Sequence, residues 1–304
     1  MFTKFWDKLA EGLADSWNVK ILAPAAAFWG AGLIAWGWRH GWDSILGVVT
    51  KADIVRGAAL SIAGLFLLTV SSGLVEWVTL PVLRLMEGYW PWPFEGLRFR
   101  LAVWLGRKLQ RQHKRWQTLS KEYEAAKLGA RGMEEYARLD SELVASYPET
   151  SRLLPTRLGN VLRAAEDYPS VRYGLAISVV WPRLWLVLPD STRNELSTAR
   201  QSLDERTRLL IWGLLFAIWS IWSWWAIPIA IGVVAVAYRG MFGAARVYGD
   251  LLRASFDLHR FAMYKSLSWP PPSSTTSEVA HGKALTQYLH RGADAVPDAQ
   301  FRLT

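Results

Sequence analysis

Apolar and charged residues are segregated along this chain. Three charge-free runs, residues 21–38, 57–75 and 209–238, carry most of its apolar weight. A helix needs about 20 apolar residues to cross a hydrocarbon core of about 30 Å, at about 1.5 Å per residue. The first two runs, of 18 and 19 residues, meet that requirement, and each predicts one transmembrane helix. Ala23, Ala25 and Ala27 have the spacing of a signal-peptide cleavage site, but the apolar stretch before them is short and holds Lys20. The first segment is therefore expected to stay as an anchor.

The third run has 30 residues, long for one crossing and short for two. Trp222, Trp224 and Trp225 bunch at its middle, where interfacial aromatics belong, and Pro228 follows at a position suited to the first turn of a new helix. Two helices of ordinary length result if the hairpin borrows Thr207 and Arg208 at one end and residues 239–243 at the other, with arginines snorkelling to the headgroups. The pattern thus predicts four crossings, near 20–38, 57–77, 206–223 and 226–243. Three crossings, with the third run as one helix, is the alternative.

Between and around the crossings the periodicity is helical. Phe2, Phe5, Trp6, Leu9, Leu13 and Trp17 form one face of an amphipathic helix, lying at the membrane interface or packed on a cytoplasmic domain. Pro81, Pro91 and Pro93 are expected to break the helix after the second crossing. A helical pattern covers about 95–128, a shorter one 134–146, and a compact block 153–189. Within that block, 174–189 is apolar but interrupted by Trp181, Pro182 and Arg183, so it is buried in the cytoplasmic domain or lies on the membrane surface.

The last run continues as a heptad seam: Phe242, Ala245, Gly249, Leu252, Phe256, His259 and Met263 recur at intervals of three and four, with arginines every seven residues beside them. Gly240, Gly243 and Gly249 have close-packing spacing. The seam must pack on the chain's own domain or on symmetry-related copies. Residues 269–272 stop this helix, 273–277 form a linker, and a short helix at 278–289 precedes a polar tail.

The expected fold is all-α: a polytopic membrane protein with four transmembrane helices in two pairs, a helical cytoplasmic domain between the pairs, and a long final helix extending into the cytoplasm. Its segments are an interfacial helix at 1–18, crossings one and two at 19–80, a basic domain at 81–205, crossings three and four at 206–243, the helix extension at 244–268, and a linker and tail at 269–304. Residues 39–56 hold three Lys and Arg against two acids, whereas 84–208 hold 21 against 15. Cations favour the inner side, so the middle segment and both termini are expected in the cytoplasm.

Composition sharpens this picture in two places. The net charge of +9 predicts anionic lipid as a partner of the inner surface rather than nucleic acid. Arg107, Lys108, Arg111, Lys114 and Arg115 stand together without an acid, as a lipid-headgroup or anion-concentrating vestibule contact, or as a solvated face. The absence of Cys removes thiol chemistry. The five His make no metal-spaced set and no phosphate loop is present, so neither an enzyme nor a bound metal or cofactor is expected. His259 on the seam is a pH sensor or a packed side chain.

The strongest pointer to function is polar chemistry at membrane depth. Glu76 closes the second apolar run after Ser71 and Ser72 and before Thr79. In an oligomer these residues could line a constriction. Otherwise Glu76 snorkels to the interface or pairs with Arg84.

Three stretches occur together: residues 154–160 (LPTRLGN), 181–185 (WPRLW), and Tyr248, Gly249 and Asp250 with 256–260 (FDLHR). They resemble uncharacterised bacterial multi-pass membrane proteins of unassigned function, across roughly residues 90–291. That resemblance implies a bacterial cytoplasmic membrane and carries no site. The order of crossings is similar to that of bestrophin-type channels, in layout only. Together these readings lead to an expectation of a homo-oligomeric ion channel or pore with a cytoplasmic vestibule. The alternative is a membrane-anchored scaffold or signalling component that binds a cytoplasmic partner or lipid.

Overall fold

The structure is a computed structural model that describes residues 16–43, 47, 53–125, 127–146 and 152–292. The expected interfacial helix and the polar tail therefore fall almost wholly outside the described residues. Every regular element among those described is helical: α1 (Ser16–His40), α2 (Ile54–Glu87), α3 (Glu95–Glu124), α4 (Ala130–Ser146), α5 (Arg157–Tyr173), α6 (Ile177–Val187), α7 (Asp190–Phe216), α8 (Ala226–Ser266) and α9 (Thr275–Arg291). Short 3-10 turns at Trp92–Phe94 and Ala217–Ile221 precede α3 and follow α7. The chain divides into two compact units, one of residues 1–83 and 204–241, the other of 84–203 and 242–304.

The first unit gathers the apolar runs. Phe28, Trp212 and Trp219 are buried together with Ala25, Ala35, Val75, Ile211 and Ala226. Small residues let the helices approach: a side chain at Gly32 would collide with the Trp219 ring, and one at Gly213 with Val233. The pairs Arg206 with Gly240 and Gly213 with Val233 run in opposite directions along α7 and α8, so these two segments form an antiparallel hairpin. Its turn falls at Trp222–Trp225, where the aromatic cluster places it, and Pro228 sits in the first turn of α8. The Ser223 hydroxyl donates to the Ala35 carbonyl at 3.2 Å, tying this turn to the C-terminal part of α1.

Two helices among those described are long and apolar enough to cross a membrane: α2, within the stretch Ile54–Glu124, and α8. Only 11% and 22% of their apolar windows are buried, so most of that apolar surface faces outward. In a protein surrounded by water, such a belt would be an extended unpaired patch.

Pro81 does not end α2, contrary to the sequence expectation. The helix runs on to Glu87, with Thr79 and Leu83 buried on either side of the proline. Pro81 removes only the hydrogen bond to the Trp77 carbonyl, and continued burial of one face outweighs that loss. The actual stop is Gly88, left-handed at φ 100°, with the Tyr89 N–H turned back to the Arg84 carbonyl at 3.0 Å.

The second unit is a helical assembly with its own core. Leu175, Val180, Leu184, Leu188 and Leu196 pack with Leu252, Phe256, Met263, Tyr264, Trp269 and Leu285. Val180 and Leu184 bury one face of α6 in this core, while Leu186 on the helix is exposed. Thr156 caps α5 by accepting from the Gly159 N–H at 3.1 Å, and Ser274 caps α9. Helices α3 and α4 pair through a bidentate Arg115–Glu135 bridge, a Trp116–Asp140 hydrogen bond at 3.0 Å and stacked Tyr123 and Tyr136. The C-terminal part of α8 and all of α9 share this core with the segment before α7, so residues 242–292 and the middle segment belong to one unit.

Candidate functional site

The polar residues that the sequence assigns to membrane depth are engaged within the chain. The Ser71 hydroxyl accepts from the Trp29 indole N–H at 3.3 Å and donates to the Leu68 carbonyl at 3.1 Å. The buried Thr79 hydroxyl donates to the Val75 carbonyl of its own helix at 2.7 Å, and Ser72 is buried. Glu76 forms a charge-assisted hydrogen bond with Arg208 of α7. Arg84 lies eight residues further along the same helix, about 12 Å up its axis, too far to be the partner. Arg208 reaches Glu76 because α7 lies beside α2 at that level. The sequence contains Arg208 but no pattern that links it to Glu76.

The heptad seam is covered largely by the chain itself. Leu252 and Phe256 belong to the core of the second unit, and Ala245 and Gly249 are buried. A side chain at Gly249 would stand 3.1 Å from Ala165 of α5, whereas Gly243 meets nothing. His259 is half-buried. Phe242 has the guanidinium groups of Arg157 and Arg246 over its ring at 5.1 and 4.6 Å. The seam therefore resolves toward intrachain packing at Ala245, Gly249, Leu252 and Phe256.

A polar cluster ties α5, α8 and α9 together. Asp257 accepts from the Tyr173 hydroxyl at 2.6 Å and the Tyr168 hydroxyl at 3.3 Å. Arg260 lies over the Tyr173 ring at 4.3 Å and donates to the largely buried Glu278 at 2.8 Å. Burial, reinforced by the bond to Asp257, pushes the Tyr173 phenol well above its ordinary range. Burial likewise lifts Tyr264 to about 12. Both phenols keep their protons at neutral pH, and Tyr173 spends its proton on Asp257. The cluster acts as an interhelical tie.

Glu87, at the C-terminal end of α2 and beyond its apolar stretch, is pushed up to about 7 by burial, against the attraction of Arg200 and with a further push from Glu166. The Thr156 hydroxyl donates to its backbone carbonyl at 2.8 Å. A carboxyl so placed changes charge near neutrality, a feature the sequence does not reveal because the burial is tertiary.

Of the basic residues, Arg107, Lys108, Arg111 and Lys114 are exposed on α3, while Arg115 is held by Glu135. No group of three or more His, Asp or Glu stands close enough to hold a metal among the described residues. Comparison with protein-family models, curated proteins and solved structures finds no match.

Proposed function

We propose that the chain is a polytopic anchor of the bacterial cytoplasmic membrane that presents its second unit in the cytoplasm as a scaffold or signalling module for lipid or a partner protein. One observation carries this reading. The first unit has an apolar exterior around a core filled with aromatic and small side chains, and Ser71, Thr79 and Glu76 are each bonded within the chain. Such a bundle suits anchoring better than conduction.

The same unit supports a reading of four crossings. On α2, the charged residues Arg56 and Glu76 are 20 positions apart, about 30 Å of helix, which matches a hydrocarbon core. On α1, Lys20 and Arg39 are 19 apart. The antiparallel hairpin of α7 and α8 would supply the other two crossings, with Arg206, Arg208 and Arg239 near its open end. Cation excess in 84–208 favours a cytoplasmic side for the second unit and both termini.

A homo-oligomeric pore is the second reading, favoured by Glu76, whose side chain is half exposed despite its bridge. Reconstitution into vesicles separates the two. The anchor predicts no ion flux above that of empty vesicles across voltage and pH, whereas a flux that Glu76→Gln alters would establish the pore. Topology is tested with single cysteines in this Cys-free chain: an impermeant thiol reagent should label Ser44→Cys in intact cells but not Ser274→Cys. External labelling at residue 274 would mean three crossings.

A further inference from the structure

We propose that the N-terminal half of α3 is a binding site for anionic phospholipid, with Arg100 and Arg107 taking the headgroup phosphate and Phe99, Val103 and Trp104 the adjoining apolar portion. These five residues line one open dent of about 230 Å³. They are spaced i, i+1, i+4, i+5 and i+8, so one helix face brings two guanidinium groups to the rim of an aromatic and aliphatic floor. That face points away from the body of the unit: Leu105 and Leu109, on the opposite side of α3, are buried.

The charge pattern selects the sign of the ligand. Between Glu95 and Glu122 the helix carries Arg98, Arg100, Arg107, Lys108, Arg111, Lys114, Arg115 and Lys121 and no acid. Glu95 approaches Arg98 at 3.9 Å and Glu135 holds Arg115, but no described residue forms an ion pair with Arg100 or Arg107. Two free guanidinium groups about two turns apart suit a phosphate diester and its neighbours.

The exposed apolar side chains select a membrane over a nucleic acid or an acidic protein. Trp92 is 85% exposed, Phe99 70% and Trp104 61%, and Phe94 and Leu97 are also exposed. Aromatic and aliphatic residues alternating with arginines on a surface helix are the composition of an interfacial segment. Continuity along the chain adds to this, because α3 follows by a short connection a helix apolar enough to cross a bilayer. Tethering of that kind keeps lipid at high effective concentration. The site rests on the anchor reading and adds to it a lipid class and the residues that choose it.

The test is native mass spectrometry of the full chain in mild detergent, titrated with phosphatidylglycerol or phosphatidylcholine. Wild type should retain phosphatidylglycerol preferentially. Each arginine beside an anionic lipid contributes about five-fold, so Arg100→Gln/Arg107→Gln should weaken phosphatidylglycerol binding by about 10- to 30-fold. Trp104→Ala should weaken both lipids. Arg111→Gln/Lys114→Gln, outside the dent, should have the smaller effect. An unchanged preference in the arginine double variant overturns the site, as does displacement of the lipid by free glycerol phosphate. Alkaline carbonate extraction of membranes tests the anchor separately. A protein that resists carbonate but does not distinguish the two lipids overturns only this site, and one that carbonate releases overturns the anchor.

Discussion

Gly282→Ala is the most demanding test of how the second unit is built. Gly282 lies on α9 where that helix crosses the end of α5, and a β-carbon there would stand 1.9 Å from the Tyr173 carbonyl oxygen. Even the shortest real contacts are 3.0 Å, so α9 must lift by at least 1.1 Å, the difference between the two distances. The obstacle is backbone and cannot rotate away. Gly174 faces the same crossing at φ 73°, and a side chain there would stand 2.1 Å from the Val279 carbonyl oxygen, so neither side of the contact has slack. Lifting α9 strains the Arg260–Glu278 bridge and uncovers Leu285, which is fully buried. Overpacking costs about 1–3 kcal/mol, and partial exposure of a leucine adds about 1 kcal/mol, for a total near 3 kcal/mol. A unit of this size loses about 2–4 °C per kcal/mol, so Tm should fall by about 6–12 °C. The assay is thermal unfolding of the full chain in detergent, with proteolysis in the 270–274 linker as a local readout. Gly243→Ala is the control: nothing stands within 4 Å of its added carbon, and the substitution should be neutral or stabilise by about 0.4–1 kcal/mol. If Gly282→Ala melts within about 2 °C of that control, the crossing is not as close as described.

Two further outcomes follow from the same structure. Leu252 is 2% exposed inside the second unit's own core, so Leu252→Asp should unfold that unit at a cost of several kcal/mol; clean dissociation into smaller, fully folded species, seen by mass and circular dichroism, would instead mean that the seam joins subunits. Glu87 has a folded-state pKa raised from 4.5 to about 7, so the folded state holds the proton more tightly, and this group's contribution is fully present below about pH 4.5 and is lost as pH rises through 7. Unfolding midpoints of wild type should therefore drop between pH 5 and 8, and the drop should be smaller in Glu87→Gln; parallel pH profiles would show that Glu87 is solvated.

What the sequence discloses is decided by the range of the interaction. The helix break at Trp222–Trp225 is legible because its causes are local: aromatics bunched in a 30-residue apolar run and a proline placed for a new first turn. Helix α9 is legible in part, from the prolines before it, although its cap at Ser274 adds residues 275–277 to the expected start. Pro81 misleads because its local cost is real but is outweighed by burial of Thr79 and Leu83 against other helices. Glu76 shows the same limit at a single side chain. Its partner is 132 positions away, so sequence can place a carboxylate at the end of an apolar run but cannot say which cation answers it. The heptad seam marks the limit most sharply. A repeat of apolar residues at intervals of three and four states that one face of α8 must be covered, and any helix with a complementary face satisfies it. Phe256 contacts Trp181, and Gly249 fits against Ala165, both from the chain's own middle segment. Those partners carry no heptad of their own: α5 and α6 meet the seam with a small residue and a tryptophan. Periodicity on one helix thus predicts burial of a face, while the choice between an intrachain and an intersubunit partner depends on the shape of the other side.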